Sequence, residues 1–149
     1  MERPSDFHTD KMASHFLSRI ARAMTRLGDS RLRPLGFATA QMPVLTALKD
    51  GDKWSQGDLA RRARVEQPTM AQLLSRMERD GLVSREPDPA DRRSSLISLT
   101  EEARERLPAG RDILVQGNKD MMRGLSAEEQ ATLLALLERV MANVEGLEG

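Results

Sequence analysis

The chain of 149 residues contains no cysteine. Disulfides, thiolate metal sites and a cysteine redox switch are therefore excluded within it. Aromatic side chains are nearly as scarce, with three Phe, one Trp and no Tyr. Stacking on aromatic rings is the usual way to hold single-stranded RNA or DNA, and too few rings are present for that device. No apolar run approaches the roughly 20 residues of a membrane-spanning helix. The start, Met1-Glu2-Arg3-Pro4-Ser5-Asp6, has no signal-peptide pattern. The cytoplasm is the expected compartment, with no membrane partner.

Catalytic patterns are missing too. There is no Gly-rich phosphate loop and no metal-ligand spacing, and the Ser, His and Asp residues stand in no elbow or triad context. No enzyme activity, catalytic residue, metal or cofactor is expected. Glu101, Glu102, Glu128 and Glu129 are accounted for by helix N-termini, where carboxylates are stabilised. Net charge is absent: 23 Lys and Arg balance 23 Asp and Glu. The balance is uneven along the chain, however. Residues 1–54 hold nine basic against six acidic side chains, residues 55–100 eight against seven, and the remainder six against ten. An apolar fraction of 39% is modest for a chain of this length and points to a core shared with a partner.

What is present is concentrated in residues 55–100. Ser55-Gln56-Gly57-Asp58 is a helix start, with a hydroxyl and a carboxylate placed to satisfy free N–H groups. Leu59, Ala60 and Ala63 supply its apolar face, and Val65 ends it. Pro68 suits the first turn of a second helix, which runs to about Asp80 and is closed by Gly81. Within it Met70, Leu73, Leu74 and Met77 form a buried stripe at three- and four-residue steps. Thr69, Gln72, Ser75, Arg76 and Arg79 occupy the opposite face. Hydroxyl, amide and guanidinium groups can read base edges in a major groove wide enough to admit a helix. Two helices and a tight turn with such a face match a helix-turn-helix.

Beyond Gly81 the period changes. Leu82–Arg85 and Ser95–Leu99 read as strands, and Glu86–Arg93 between them is a turn-forming stretch, so a hairpin is predicted with Arg92 and Arg93 near its tip. Arginines at such a tip suit a narrow, negative minor groove. Asp91 is expected to hold Arg92 extended through a charge-assisted pair.

Leu59-Ala60, Glu66-Gln67-Pro68-Thr69, Leu82-Val83-Ser84-Arg85, Asp91-Arg92-Arg93 and Leu99-Thr100-Glu101 together resemble the winged-helix core of the multiple-antibiotic-resistance regulator (MarR) family, and most of all its SlyA-type members. The resemblance implies a dimeric transcription factor, a repressor, that binds double-stranded DNA. It places Pro68, Thr69 and Gln72 in the major groove and Asp91 and Arg92 in the wing. Some relatives carry arginine where this chain has Gln72. The DNA-contacting set expected from residues and resemblance together is Gln67, Pro68, Thr69, Gln72, Ser75, Arg76, Arg79, Asp91, Arg92 and Arg93. The resemblance also implies a pocket for a small aromatic or acidic effector, assigned here to His15, Arg19, Met42 and Leu45. Cysteine-based oxidant sensing, used by some relatives, is closed to this chain.

The flanks read as helices. Residues 7–33 form one long helix with Phe16, Leu17, Ile20, Ala23, Met24 and Leu27 on one face. Arg19, Arg22, Arg26, Arg31 and Arg33 are a charge run, mostly a solvated face. His8 and His15 stand two turns apart on this helix and, without further clustered ligands, are read as junction residues rather than metal ligands. Thr39 caps a following helix through Leu48, with Pro43 in its first turn and Met42, Val44, Leu45 and Leu48 in the core. Lys49–Lys53 is a turn, and Trp54 is a wedge between the second and third helices. Thr100 opens another helix, in which Pro108 is expected to cause a kink. Ser126 and Glu129 form a capping box for the last helix. There Leu133, Leu137, Val140, Val144 and Leu147 make a seam too regular to leave in water, which with Phe16 of the first helix defines the expected homodimer interface.

The predicted fold is thus mainly α with a small β-hairpin wing in a single domain: a winged helix-turn-helix over about residues 39–100, with dimerisation helices at 7–33 and 101–147. The predicted function is a homodimeric regulator of a pseudo-palindromic duplex, released by a small-molecule effector. The alternative is a winged-helix module that binds protein without sequence-specific DNA binding, which the nearly neutral head keeps open.

Overall fold

A computed structural model describes residues 8–148. It divides into two compact units, one ending at Leu114 and one beginning at Val115. The first unit starts with a single 3-10 turn, Thr9–Lys11, followed by helix α1, Ala13–Leu32. The helix therefore begins later than the pattern suggests, and Phe7 lies outside the described residues. His8 precedes the turn, so it does not share a helix face with His15. A short 3-10 turn at Arg33–Leu35 ends in Gly36, in the left-handed conformation.

A further 3-10 turn, Thr39–Gln41, leads into α2, Met42–Ala47. Thr39 does not cap this segment with its side chain. Instead its backbone N–H donates to Asp29 Oδ1 at 2.7 Å and its hydroxyl to the Thr25 carbonyl at 3.5 Å. The Ala38 N–H is satisfied by Gln41 Oε1 at 2.9 Å, which explains why Gln41 is buried although polar. The approach of this turn to α1 is close: a Cβ on Gly28 would stand 2.6 Å from Thr39 Oγ1.

Trp54 and Ser55 form a two-residue strand, β1, from which the half-buried Trp54 packs against the core. Trp54 pairs with Ile97, and the Arg62 guanidinium lies 3.6 Å from the centroid of its indole. Helix α3, Gln56–Ala63, is capped by Ser55 Oγ, which accepts the Asp58 N–H at 3.2 Å. The Asp58 carboxylate does not complete a capping box; it pairs with Arg61 one turn ahead. Arg64 closes α3 in the left-handed region, and after a short turn α4 runs over Gln67–Arg79 with Pro68 in its first turn.

Gly81 (φ 75°) ends α4 and leads into β2, Val83–Asp88, which pairs antiparallel with β3, Asp91–Leu99. The sheet order is β1-β3-β2. Both strands run further toward the tip than their apolar residues indicate. Pro87 and Asp88 lie in β2 at a register irregularity, and only Pro89 and Ala90 remain as the turn. The Thr100 hydroxyl accepts the Ala103 N–H at 3.2 Å and donates to the Gly81 carbonyl at 2.7 Å, so one side chain joins the start of the next helix to the end of α4. Helix α5, Glu101–Met121, continues through Pro108 without interruption.

The core of the first unit gathers Leu32, Phe37, Val44, Leu45, Leu48, Leu59, Met70, Leu74, Met77, Ile97, Leu99 and Leu107. Burying that much apolar surface, at roughly 25 cal/mol per Å², is the main force holding the helix-turn-helix and the sheet together. In the second unit Gly124 (φ 85°) ends a turn, and α6 spans Ala127–Glu148. The Ser126 and Glu129 capping box is present in both directions: Glu129 N–H to Ser126 Oγ at 3.1 Å, and Ser126 N–H to Glu129 Oε1 at 2.9 Å. The Ser126 N–H, then its hydroxyl, hold the Glu129 carboxyl below its ordinary value. Among the described residues no helix is long and apolar enough to cross a membrane, and no group of three or more His, Asp or Glu is placed to hold a metal.

Candidate nucleic-acid interface

Helix α4 is sharply two-sided. Met70, Leu74 and Met77 are completely inaccessible and Leu73 is half-buried. Gln67, Pro68, Thr69, Gln72, Ser75, Arg76 and Arg79 are all exposed. Because the buried stripe fixes the rotation of the helix about its axis, the polar face can only point outward. Arg79 lies 3.7 Å from Asp80, whereas Arg76 has no carboxylate within 4.0 Å among the described residues.

The hairpin carries its cations in the same exposed manner. Asp91, Arg92 and Arg93 stand at the first three positions of β3 and are solvent-accessible. Asp91 does not pair with Arg92. Its Oδ1 accepts the backbone N–H of Arg93 at 2.9 Å, and Asp88 Oδ1 likewise accepts the Ala90 N–H at 2.9 Å. The two aspartates thus stiffen the tip through the backbone, as short Asx side chains commonly do in turns. The guanidiniums of Arg92 and Arg93 are left without a partner among the described residues.

Two ion pairs that the sequence pattern does not reveal tie the hairpin down. Arg85 Nε donates to Glu78 Oε2 at 2.6 Å, linking β2 to the last turn of α4. Lys53 Nζ meets Glu86 Oε1 at 2.6 Å, linking β2 to the loop before β1. At the other end of α4, Gln56 Nε2 donates to Gln67 Oε1 at 3.3 Å. Nothing in the spacing of these residues signals the contacts, which depend on how the elements pack.

The remaining singled-out residues fall elsewhere. On α1, His15 is half-buried with its ring edge-on to Phe16 at 5.8 Å, and Arg19 is exposed beside a shallow concavity lined by Phe16, Ile20, Ala23 and Arg26. Met42 and Leu45 are core side chains of α2. Phe16 is 53% exposed; on α6 Leu133 and Leu137 are half-buried, whereas Val140, Val144 and Leu147 are exposed at 42, 47 and 86%.

A helix pair with a tight turn, an outward polar face on the second helix and an arginine-tipped hairpin behind it together define a winged helix-turn-helix. The comparisons agree. The MarR family profile matches residues 35–94. The uncharacterised HTH-type transcriptional regulator YdgJ of Bacillus subtilis is 31% identical over 113 residues, covering 76% of this chain and 69% of the relative. Among solved structures, MepR of S. aureus in complex with DNA superposes with a TM-score of 0.81 at 26% identity, covering 89% of this chain and 98% of that one. A MarR variant from E. coli in complex with operator DNA gives 0.77 at 26% identity, covering 85 and 91%. The chain belongs to the MarR family, whose members are transcriptional regulators and not enzymes.

Proposed function

We propose that the chain is a homodimeric repressor that binds a pseudo-palindromic DNA duplex, with α4 in the major groove and the hairpin in the flanking minor groove. The observation that carries this reading is the orientation of α4: Met70, Leu74 and Met77 are completely buried, and Thr69, Gln72, Ser75, Arg76 and Arg79 are all presented together. Gln67 and Pro68 bring the helix N-terminus to the backbone phosphates, and Arg92 and Arg93 supply cations suited to a narrow groove. Asp91 shapes the tip rather than touching DNA. That MepR and MarR have each been solved with DNA supports the same use of the fold here.

The dimer rests on apolar side chains that a lone protomer leaves in water. Val140, Val144 and Leu147 on α6 and, separately, Phe16 and Ile20 on α1 are exposed. Covering such residues is favourable in proportion to their area. Two heads related by a two-fold axis would meet successive major grooves about one helical turn apart. A small aromatic or acidic effector that favours a different head spacing would release the duplex by shifting the population between the two arrangements. Arg19 and His15 are the groups on α1 suited to an acidic or aromatic compound. The cytoplasm, where operator DNA is accessible, is the compartment this function requires.

Selection of bound fragments from a random duplex pool tests the reading. Enrichment of two inverted half-sites with centres about 10 base pairs apart is expected. The near balance of eight basic and seven acidic side chains in residues 55–100 favours a competing reading, a winged helix that binds protein. Failure to enrich any duplex would replace the first reading with that one.

A further inference from the structure

The geometry points to Glu78 and Arg85 as positioning residues for the hairpin: their ion pair sets where Arg92 stands relative to α4, and so where it meets the flanking minor groove. This rests on the duplex-binding function proposed above and names what fixes the distance between its two DNA contacts. Alternation along the paired strands puts Val83, Arg85, Ile97 and Leu99 on one face of the sheet, where Val83, Ile97 and Leu99 are buried. Arg85 continues that face outward, and its Nε donates to Glu78 Oε2 at 2.6 Å in the last turn of α4. On the opposite face the Ser84 and Ser98 hydroxyls lie 3.2 Å apart, and Lys53 Nζ meets Glu86 Oε1 at 2.6 Å. Because β3 lies between β1 and β2, this second pair spans the sheet and ties its two edges into one body. The Glu78–Arg85 pair is then the brace between that body and the helix.

The chain joins α4 to β2 through residues 80–82 alone. Leu82 is buried and Thr100 holds the Gly81 carbonyl, so this corner is a fixed pivot, and Arg85 braces the strand three residues beyond it. Further out nothing else steadies the hairpin against the helix: in residues 87–94 the side-chain hydrogen bonds, Asp88 to Ala90 and Asp91 to Arg93, stay within it. Arg92 is five residues along β3 from Ile97, the residue opposite Arg85. At roughly 3.3 Å per residue that is a lever of about 16 Å, so a tilt of about 10° at the brace carries the tip about 3 Å, a whole hydrogen-bond length. Ion pairs as accessible as this one contribute little to stability. Removing it leaves the fold in place and frees the angle.

Glu78→Gln and Arg85→Gln break the pair from its two sides. On charge alone they should act oppositely, since losing an anion beside the duplex tightens binding and losing a cation weakens it. Positioning predicts one effect from both. Affinity for the duplex that wild type selects should be measured for wild type, for each variant, and for each of these combined with Arg92→Ala, with thermal unfolding followed alongside. In the wild-type background Arg92→Ala is expected to weaken binding about tenfold, within the range of one good groove contact. In either variant background it is expected to weaken binding less than about threefold, a coupling between residues that do not touch. Both variants should also lose base preference at the flanks of the selected site and keep it at the positions facing α4. A merely structural pair would lower the unfolding midpoint and leave the Arg92→Ala penalty as it was. A penalty unchanged in both backgrounds would overturn the assignment with duplex binding intact, and so would a fall confined to Arg85→Gln, which would make Arg85 itself a DNA contact. No Arg92→Ala penalty in wild type would overturn the minor-groove part of the proposed function and the assignment with it.

Discussion

Arg92 is the residue whose role can be isolated most cleanly. It is exposed, takes no part in the core, and the bond that shapes the tip uses Asp91 and the Arg93 backbone instead. Arg92→Ala is therefore expected to lower affinity for the selected duplex by about 1–3 kcal/mol while leaving the thermal unfolding midpoint unchanged. An equal loss of stability would show that the side chain supports the hairpin rather than the complex. Asp29 offers a different test. The Thr39 backbone N–H, followed by the Thr39 hydroxyl, holds its carboxyl below the ordinary value of 3.8. Because the folded-state value is depressed, the stabilisation is fully present above the unfolded-state value of about 3.9. It is lost as pH falls through the folded-state value. Asp29→Asn should thus be less stable than wild type at neutral pH, and the difference should close under acid. A gap that persists at pH 2 in denaturant titrations would contradict the assignment. Beside it, Gly28→Ala would push a methyl group into Thr39 Oγ1 and is expected to cost about 1–3 kcal/mol in the same titrations.

At the scale of elements, the helix-turn-helix was legible because its signals are local. Ser55, Pro68 and Gly81 mark ends within the segments they bound, and the apolar steps of Met70, Leu74 and Met77 fix the buried side without reference to anything distant. The parts that were not legible depend on residues far apart in the chain. Trp54 becomes a strand only because Ile97 is there to pair with it, and Thr39 finds its partner ten residues back on Asp29. The hairpin strands extend through Pro87 and Asp88, whose types suggest a turn, because the opposite strand supplies the pairing. For the same reason the Gln56–Gln67 and Glu78–Arg85 contacts, which lie at the two ends of α4, have no signature in the order of residues. The buried stripe of α4 also sets a prediction. Leu74→Ala should lower stability by about 2–5 kcal/mol, and duplex binding should fall only as far as the folded fraction does, which parallel denaturation and binding curves would show.

For the whole molecule, the question is whether two copies act together. Leu137 is half-buried on α6, in line with the exposed Val140, Val144 and Leu147. A charge placed there should be tolerated by an isolated helix but not by a covered seam. Leu137→Asp is expected to sediment as a monomer with unchanged helical content; a fully dimeric, normally folded variant would place the interface elsewhere. The most direct measurement of the central claim, that the outward face of α4 and the arginine-tipped hairpin grip duplex DNA, is the salt dependence of binding. Each phosphate neutralised adds about one unit to the negative slope of log affinity against log salt. The account predicts a slope of several units, smaller by about one in Arg92→Ala. Affinity for the duplex that stays level as salt rises, in wild type and variant alike, would contradict it.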